Sequence, residues 1–234
     1  MKLILVILFF ICGGFSCTKN ELNMSATDQT IRKYYYLALG DSYTIGEKVS
    51  PTDNFPNLVY SLLKNDSVNF QPPRIIAKTG WTTDELETGI VNANHEEPLR
   101  SDYDFVSLMI GVNNQYRGRS VENYKTEFEE LLKKAIAFAG GKNERVIVLS
   151  IPDWGVTPFA EGRDRAKIAR EIDAYNAANK FISEQYHVQY TDITAWTREA
   201  ATDPSLLAAD SLHPSGKEYK RWAERIADFF KSRL

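Results

Sequence analysis

The chain has 234 residues, of which 43% are hydrophobic and 25% are charged, and its net charge at pH 7 is −3. This composition is typical of one globular domain with a core of its own, and the net negative charge gives no sign of the basic face that a nucleic-acid-binding protein needs. The two cysteines are Cys12 and Cys17, so the sequence after them contains neither a disulfide nor a cysteine metal site.

The first 17 residues have the pattern of an export signal. Lys2 precedes an apolar run from Leu3 to Ile11, and small residues follow it. The run is too short to span a bilayer, whereas a charged start, an apolar middle and a small-residue end are typical of a secretory signal. A first buried strand is the alternative interpretation. Residues 18–32 are mostly polar, and their few apolar residues have no regular spacing. We interpret this segment as a tether, which places the folded domain at 33–234.

This segment resembles the signal of a bacterial lipoprotein, with Cys17 as the residue that would be lipidated. Ser16 before it fits that pattern, although Gly14 stands where a leucine is usual. The resemblance implies export and attachment to a membrane through acyl chains, on the periplasmic side or at the cell surface. Without the lipid, the protein would be periplasmic or secreted.

After the tether, short apolar runs alternate with amphipathic segments of helix length. The runs that predict strands are Tyr35–Leu39, Arg74–Lys78, Tyr103–Gly111, Arg145–Pro152 and residues 188–193. The segments that predict helices are 54–65, 82–94, 120–141, 163–185 and 213–234. This alternation predicts a three-layer α/β/α domain around a mostly parallel sheet of about five strands.

Local signals give the expected helix starts and buried faces. In the first helix, Leu58, Leu62 and Leu63 are expected to face the core. Thr83 is expected to cap the second helix, and Ser120 the third.

Polar residues follow each predicted strand, where ligands bind in parallel α/β sheets. Ser42 follows the first strand, and a serine hydroxyl becomes a nucleophile when a histidine takes its proton. Of the three histidines, His95 is interpreted as part of a solvated loop and His187 as the end of a helix. His213 has Asp210 one turn before it, which could orient the imidazole or could simply help to shape the turn.

Acyl transfer also needs hydrogen-bond donors directed at the developing oxyanion. The backbone N–H groups of Ser42 and Gly80 and the side-chain amide of Asn113 would supply three. Gly80 has no Cβ, which permits close backbone approach. Ordinary turns are the alternative interpretation for Gly80, Gly111 and Asn113.

Four blocks together resemble the GDSL-type, or SGNH, family of serine esterases and lipases. They read "GDSY" at 40–43, "TGWTT" at 79–83, "GVNN" at 111–114 and "DSLHPSG" at 210–216, in the family's order. The third block departs from the family's frequent Gly-x-Asn-Asp pattern, because Asn114 replaces the last Asp.

The resemblance implies a flavodoxin-like sheet and an active site without a cofactor. Ser42 would be the nucleophile, His213 the base and Asp210 the residue that orients it. Ser42, Gly80 and Asn113 would form the oxyanion hole, and Asp41 would support the turn.

The expected substrate is a small-molecule or carbohydrate ester. No long apolar lid segment is present, which favours small acyl or acetyl-carbohydrate esters over lipids. Aromatic faces bind acyl chains and apolar sugar faces alike, although core packing is the alternative for each ring. The candidate lining residues are Tyr43, Trp81, Asn114, Tyr116 and Trp154.

Two other functions remain open at this point. A metal-dependent hydrolase would gather its ligands from a set of scattered residues, but the sequence lacks a close ligand pair such as His-x-His. The second alternative is a membrane-anchored carbohydrate-binding protein that has kept the fold but lost catalytic turnover. The candidate metal ligands are Asp41, Asp153, Asp192, Asp210 and His213.

Overall fold

The computed structural model describes residues 32–65 and 67–234. The expected signal segment 1–17, its Cys17, and the expected tether up to residue 31 lie outside the described residues. The strands are β1 (Lys33–Tyr34), β2 (Tyr36–Asp41), β3 (Asn69–Phe70), β4 (Arg74–Lys78), β5 (Phe105–Met109), β6 (Val146–Leu149) and β7 (Gln189–Thr191).

Five of these strands form one parallel sheet in the spatial order β4-β2-β5-β6-β7. Every residue of β2, β5 and β6 is buried, as expected for central strands that are covered on both faces. Strands β1 and β3 form a separate parallel pair that the sequence did not predict.

Helices cover the sheet and complete the predicted three-layer α/β/α fold. Helix α2 packs against α8, and α5 packs against both α3 and α6. In the described residues, no helix combines the length and the apolar character needed to cross a membrane. The helices are α1 (Ser42–Ile45), α2 (Phe55–Leu63), α3 (Thr83–Glu96), α4 (Val112–Tyr116), α5 (Val121–Phe138), α6 (Arg165–Gln185), α7 (Thr194–Arg198) and α8 (Gly216–Lys231).

Aromatic side chains fix the C-terminal helix to the sheet. The ring of Phe230 on α8 lies 4.1 Å from the ring of Phe105 on β5 and 5.1 Å from that of Tyr36 on β2. Offset and edge-on ring contacts of this kind add to the free energy gained from burial. Helix α8 therefore has a defined position, and so does the turn that immediately precedes it.

Three local predictions were wrong. Thr82, rather than Thr83, caps α3, because its side chain and that of Glu85 form a reciprocal capping box. His95 lies in the last turn of α3 and not in a loop, although it is exposed as expected.

The third error concerns the buried face of α2. This face contains Phe55, Val59 and Leu63, whereas Leu62 is exposed and Leu58 only partly buried. Three leucines dominated the sequence pattern, but Phe55 gives the helix its contact with Trp222 of α8. The predicted cap of α5 by Ser120 is confirmed.

Candidate active site

Ser42 is placed by an abrupt change from strand to helix at the end of β2. Asp41 caps α1, and its Oδ1 accepts a hydrogen bond of 3.0 Å from the backbone N–H of Tyr43. A Cβ at Gly40 would lie 2.1 Å from the Thr44 Oγ1 and 2.6 Å from the Met109 carbonyl oxygen. The glycine therefore lets the chain turn tightly enough to place Ser42 at the carboxyl end of the sheet.

The side chains of Ser42, His213 and Asp210 form a continuous hydrogen-bonded line. His213 Nε2 lies 3.0 Å from Ser42 Oγ, and His213 Nδ1 lies 2.6 Å from Asp210 Oδ2. His95 and His187 are exposed and take no part. The structure thus brings together the three side chains to which the sequence assigned a catalytic role.

The turn that carries His213 is built around the carboxylate of Asp210. Asp210 Oδ1 accepts the backbone N–H groups of Leu212 at 3.1 Å and His213 at 3.0 Å. Ser211 has φ +57°, in the left-handed region, which lets the chain fold back around this carboxylate. Burial acts to raise the pKa of Asp210, but the hydrogen bonds from His213 and Leu212 bring it below its ordinary value.

Asp41 is a second buried carboxyl beside the nucleophile. It is 1% exposed, and burial raises its pKa to about 7 despite the hydrogen bonds that it accepts. Its Oδ2 lies 3.4 Å from the Nδ2 of Asn113. It supports the turn, as predicted, and it also faces the amide that was expected to bind the oxyanion.

Ser42, Gly80, Asn113 and His213 line one open cavity of about 190 Å³. Gly80 has φ +84°, which favours glycine at this position. The Asn113 Nδ2 donates to the Trp81 carbonyl at 2.9 Å, and its contact with Asp41 is longer. One of its two N–H bonds is thus firmly held, while the other has only a weak partner.

Three of the five candidate lining residues lie at this cavity, namely Tyr43, Tyr116 and Trp154. The other two lie elsewhere. Asn114 is fully buried and makes hydrogen bonds to the backbone N–H and the Oγ1 of Thr83 at the start of α3. The Trp81 ring packs onto α3, where a Cβ added at Gly89 would lie 2.1 Å from it.

Several residues that line the cavity were not predicted from the sequence. The rings of Tyr116, Trp154 and Phe159 form a cluster with centroids 5.3 to 6.3 Å apart. Tyr116 and Phe159 are each 46% exposed. Phe159 belongs to the long segment after β6, and the folding of residues 153–163 brings its ring to the cavity. The other residues missed are Thr79, Val112 and Leu212.

Two of the aspartates considered as candidate metal ligands, Asp153 and Asp192, form contacts with other side chains. Asp153 Oδ2 lies 2.9 Å from Arg198 Nε, and Asp192 Oδ1 lies 3.1 Å from Ser150 Oγ. In residues 32–65 and 67–234, no three His, Cys, Asp or Glu side chains gather in a way that could hold a metal ion. A larger cavity of about 580 Å³ lies between α6 and β7, but its lining includes none of the serine, glycine, asparagine and histidine motif residues.

Comparison with known proteins agrees with the fold and the motifs. Residues 38–221 match the model of the GDSL-like lipase/acylhydrolase family. A search of curated proteins gave no match.

Solved structures of the same fold cover most of the chain. A lipase/acylhydrolase from Enterococcus faecalis is 25% identical with a TM-score of 0.59, over 87% of this chain and 97% of that one. An acetylxylan esterase from Geobacillus stearothermophilus is 21% identical with a TM-score of 0.61, over 84% and 94%. A psychrotrophic esterase from Pseudoalteromonas sp. is 17% identical with a TM-score of 0.63, over 86% and 98%. The chain therefore belongs to the GDSL-like lipase/acylhydrolase family and is a hydrolase of esters.

Proposed function

We propose that the protein is a serine esterase that cleaves carboxylic esters through an acyl-enzyme on Ser42. The observation that carries this proposal is the hydrogen-bonded line from Asp210 through His213 to Ser42, with separations of 2.6 and 3.0 Å. This is the geometry in which an imidazole removes the proton of a serine hydroxyl and a carboxylate holds the imidazole in place.

In the first step, Ser42 Oγ attacks the ester carbonyl carbon while His213 Nε2 takes its proton. A bond forms between Oγ and the carbonyl carbon, and the π electron pair moves to the carbonyl oxygen. Asp210 accepts the Nδ1–H of His213 and stabilises the imidazolium by its charge. The lowered pKa of Asp210 suits this role, because its carboxyl stays ionised at neutral pH.

The developing oxyanion would receive hydrogen bonds from the Ser42 N–H, the Gly80 N–H and the Asn113 amide. These three residues line the same cavity as the imidazole. The contact of 3.4 Å between the Asn113 amide and Asp41 is long, so this N–H can turn from Asp41 to the oxyanion.

The remaining steps return the enzyme to its starting state. The His213 imidazolium gives its proton to the leaving alkoxide, the ester C–O bond breaks and the alcohol departs. Water then attacks the acyl-enzyme with His213 as base, and collapse of the second tetrahedral intermediate releases the carboxylic acid and returns the proton to Ser42 Oγ.

We further propose that the acyl group is small, with acetyl esters of carbohydrates as the favoured class. The cavity of about 190 Å³ is below the range of roughly 300–1,000 Å³ that is usual for drug-sized ligands. The exposed rings of Tyr116 and Phe159 could receive the apolar face of a sugar.

An ester panel tests both parts of this proposal. The substrates are p-nitrophenyl acetate, butyrate and decanoate together with an acetylated xylo-oligosaccharide. We expect the highest kcat/KM for the acetyl esters, no turnover by Ser42→Ala, and unchanged turnover by Ser61→Ala, whose serine is exposed on α2. Preference for the decanoate would overturn the substrate class, and turnover by Ser42→Ala would overturn the nucleophile.

We also propose that the protein is exported and anchored to a membrane by a lipid on Cys17. The support is the sequence pattern around Cys17. Metabolic labelling with a fatty-acid analogue tests it, with Cys12→Ser as the matched control for Cys17→Ser. Label that persists in Cys17→Ser would contradict the assignment.

A further inference from the structure

The loop that carries Gly80 connects β4 to α3 and is held by side chains from outside it. The Gly80 carbonyl accepts a hydrogen bond of 2.6 Å from Arg117 Nη2, and the Trp81 carbonyl accepts one of 2.9 Å from Asn113 Nδ2. On the other side, Thr79 Oγ1 donates to the carboxylate of Glu47. Three consecutive residues of the loop are therefore fixed by partners in other segments.

Asn113 and Arg117 belong to the same short element. Asn113 lies in α4, and Arg117 caps its C-terminal end, where its backbone N–H donates to the Asn113 carbonyl at 3.0 Å. This element holds two successive carbonyls of the loop and thereby fixes two successive peptide planes. The peptide that bears the Gly80 N–H, between Thr79 and Gly80, immediately precedes these two and is joined to them through the Gly80 Cα.

The Arg117 guanidinium also reaches the far end of the loop. Its Nη1 lies 3.0 Å from Glu85 Oε1, while Glu85 Oε2 accepts the Thr82 backbone N–H at 2.9 Å. A planar guanidinium with two directed N–H groups can make both contacts at once, which an ammonium does less well. Arg117 thus bridges Gly80 and the capping box that begins α3.

Side-chain packing gives Gly80 little restraint of its own. A Cβ added there would meet only one atom within 4 Å, the Nη2 of Arg117 at 3.7 Å. Its φ of +84° lies in a region that glycine enters and leaves readily. Without the bond to Arg117, the Gly80–Trp81 peptide would keep the 3.2 Å bond from its N–H to the Lys78 carbonyl but would lose the restraint on its carbonyl. Rotation about the Gly80 Cα would then be less restricted, and the Gly80 N–H would point at the oxyanion for less of the time.

We propose that Arg117 is a positioning residue for the oxyanion hole, which fixes the Gly80 carbonyl and so directs the Gly80 N–H into the cavity. This inference rests on the proposed function of Gly80 as an oxyanion donor. Arg117 does not touch the reacting atoms in this arrangement. Its loss should therefore affect the transition state more than the binding of substrate.

The test compares Arg117→Ala with Arg119→Ala. Arg119 is a matched control because it pairs with Asp84 in the same first turn of α3, at 2.6 Å, without a bond to the carbonyls of loop 79–82. We expect Arg117→Ala to lower kcat by about tenfold to a hundredfold with KM changed less than about threefold. Arg119→Ala should retain kcat within about twofold, since it leaves the loop carbonyls bonded.

Two further readouts separate positioning from general damage. The affinity for a trifluoromethyl ketone, which adds to the serine and forms an oxyanion, should fall in Arg117→Ala by the same factor as kcat/KM. Added ethylguanidinium should restore part of kcat in Arg117→Ala but not in Arg119→Ala, because the Arg117 side chain is 43% exposed and its site open to solvent.

The outcomes distinguish this inference from the function on which it rests. Equal kcat values in Arg117→Ala and Arg119→Ala, in an active wild type, would overturn the positioning role alone. A drop in kcat that follows a lowered Tm and is not rescued by the guanidinium would overturn it as well. A folded wild type without ester turnover would instead overturn the proposed function.

Discussion

The Nε2 atom of His213 lies 3.0 Å from the Oγ atom of Ser42, although 171 positions separate the two residues. Strand β2 places the serine, whereas the histidine is held in the turn before α8. Helix α8 reaches its position by packing Trp222 against Phe55 of α2 and Phe230 against the sheet. The two reacting groups therefore meet because of core contacts between residues that do not line the cavity.

Removal of either Ser42 or His213 should abolish nearly all turnover, and removal of both should be little worse. Each single alanine variant should lose on the order of 10⁴-fold or more in kcat, because the proton transfer and the attack form one event. Steady-state kinetics of the two single variants and the double variant measure this. If the free-energy losses of the two single variants add in the double variant, Ser42 and His213 do not act in the same step.

Alanine substitution of Asn113 should affect catalysis, whereas alanine substitution of its neighbour Asn114 should affect stability. Asn113→Ala should lower kcat on the order of a hundredfold or more, because it removes an oxyanion donor at the cavity and also releases the Trp81 carbonyl. Asn114→Ala should instead lower the free energy of unfolding by about 1–3 kcal/mol, because it leaves the buried Thr83 N–H without an acceptor. Kinetics and urea denaturation measure the two effects. If Asn113→Ala lowers kcat by less than a few-fold, Asn113 is not an oxyanion donor.

The stability of the protein should depend on pH through Asp41. The pKa of its carboxyl is about 7 in the folded state against an ordinary value of 3.8. Protonation therefore favours the folded state, and this contribution is complete below pH 3.8 and is lost as the pH rises through 7.

Asp41→Asn removes this titration while it keeps an N-cap side chain. The free energy of unfolding of the variant, relative to that of the wild type, should rise by about 4 kcal/mol between about pH 4 and about pH 8. Urea denaturation at a series of pH values measures it. A difference that stays constant over this range would contradict the buried, protonated carboxyl.

Tyr43 should act on catalysis through its ring and not through its hydroxyl. Its ring centroid lies 4.9 Å from that of the His213 imidazole, with the planes tilted by 51°. Tyr43→Phe keeps this contact and should retain kcat within about threefold. Tyr43→Leu loses the contact with the imidazolium, worth about 1 kcal/mol, and should lower kcat about fivefold. A larger loss in the Phe variant than in the Leu variant would contradict this.

The order of elements and the motif residues could be predicted from the sequence because both are local patterns. The apolar runs at 74–78 and 103–111 predict the strands β4 and β5. Each of the four motif blocks lies at the end of a strand or at the start of a helix. The fold class follows from their alternation.

Contacts between distant segments could not be predicted in this way. Asn114 has the polarity of a binding residue, but it is used to tie α4 to α3 through Thr83. Conversely, Phe159 reaches the cavity only because the segment after β6 folds over it. Arg117 belongs to no recognisable motif, because the group that it binds is the Gly80 carbonyl, 37 positions away in the chain.

Labelling of the signal-free protein with a fluorophosphonate, read by peptide mass spectrometry, tests the central claim most directly. The probe reacts with a serine only where a base has activated it, so the substrate need not be known. We expect a single adduct on Ser42 that is lost in His213→Ala and retained in Asn114→Ala. A folded protein without an adduct, or one labelled equally with and without His213, would contradict the assignment of Ser42 as a nucleophile activated by His213.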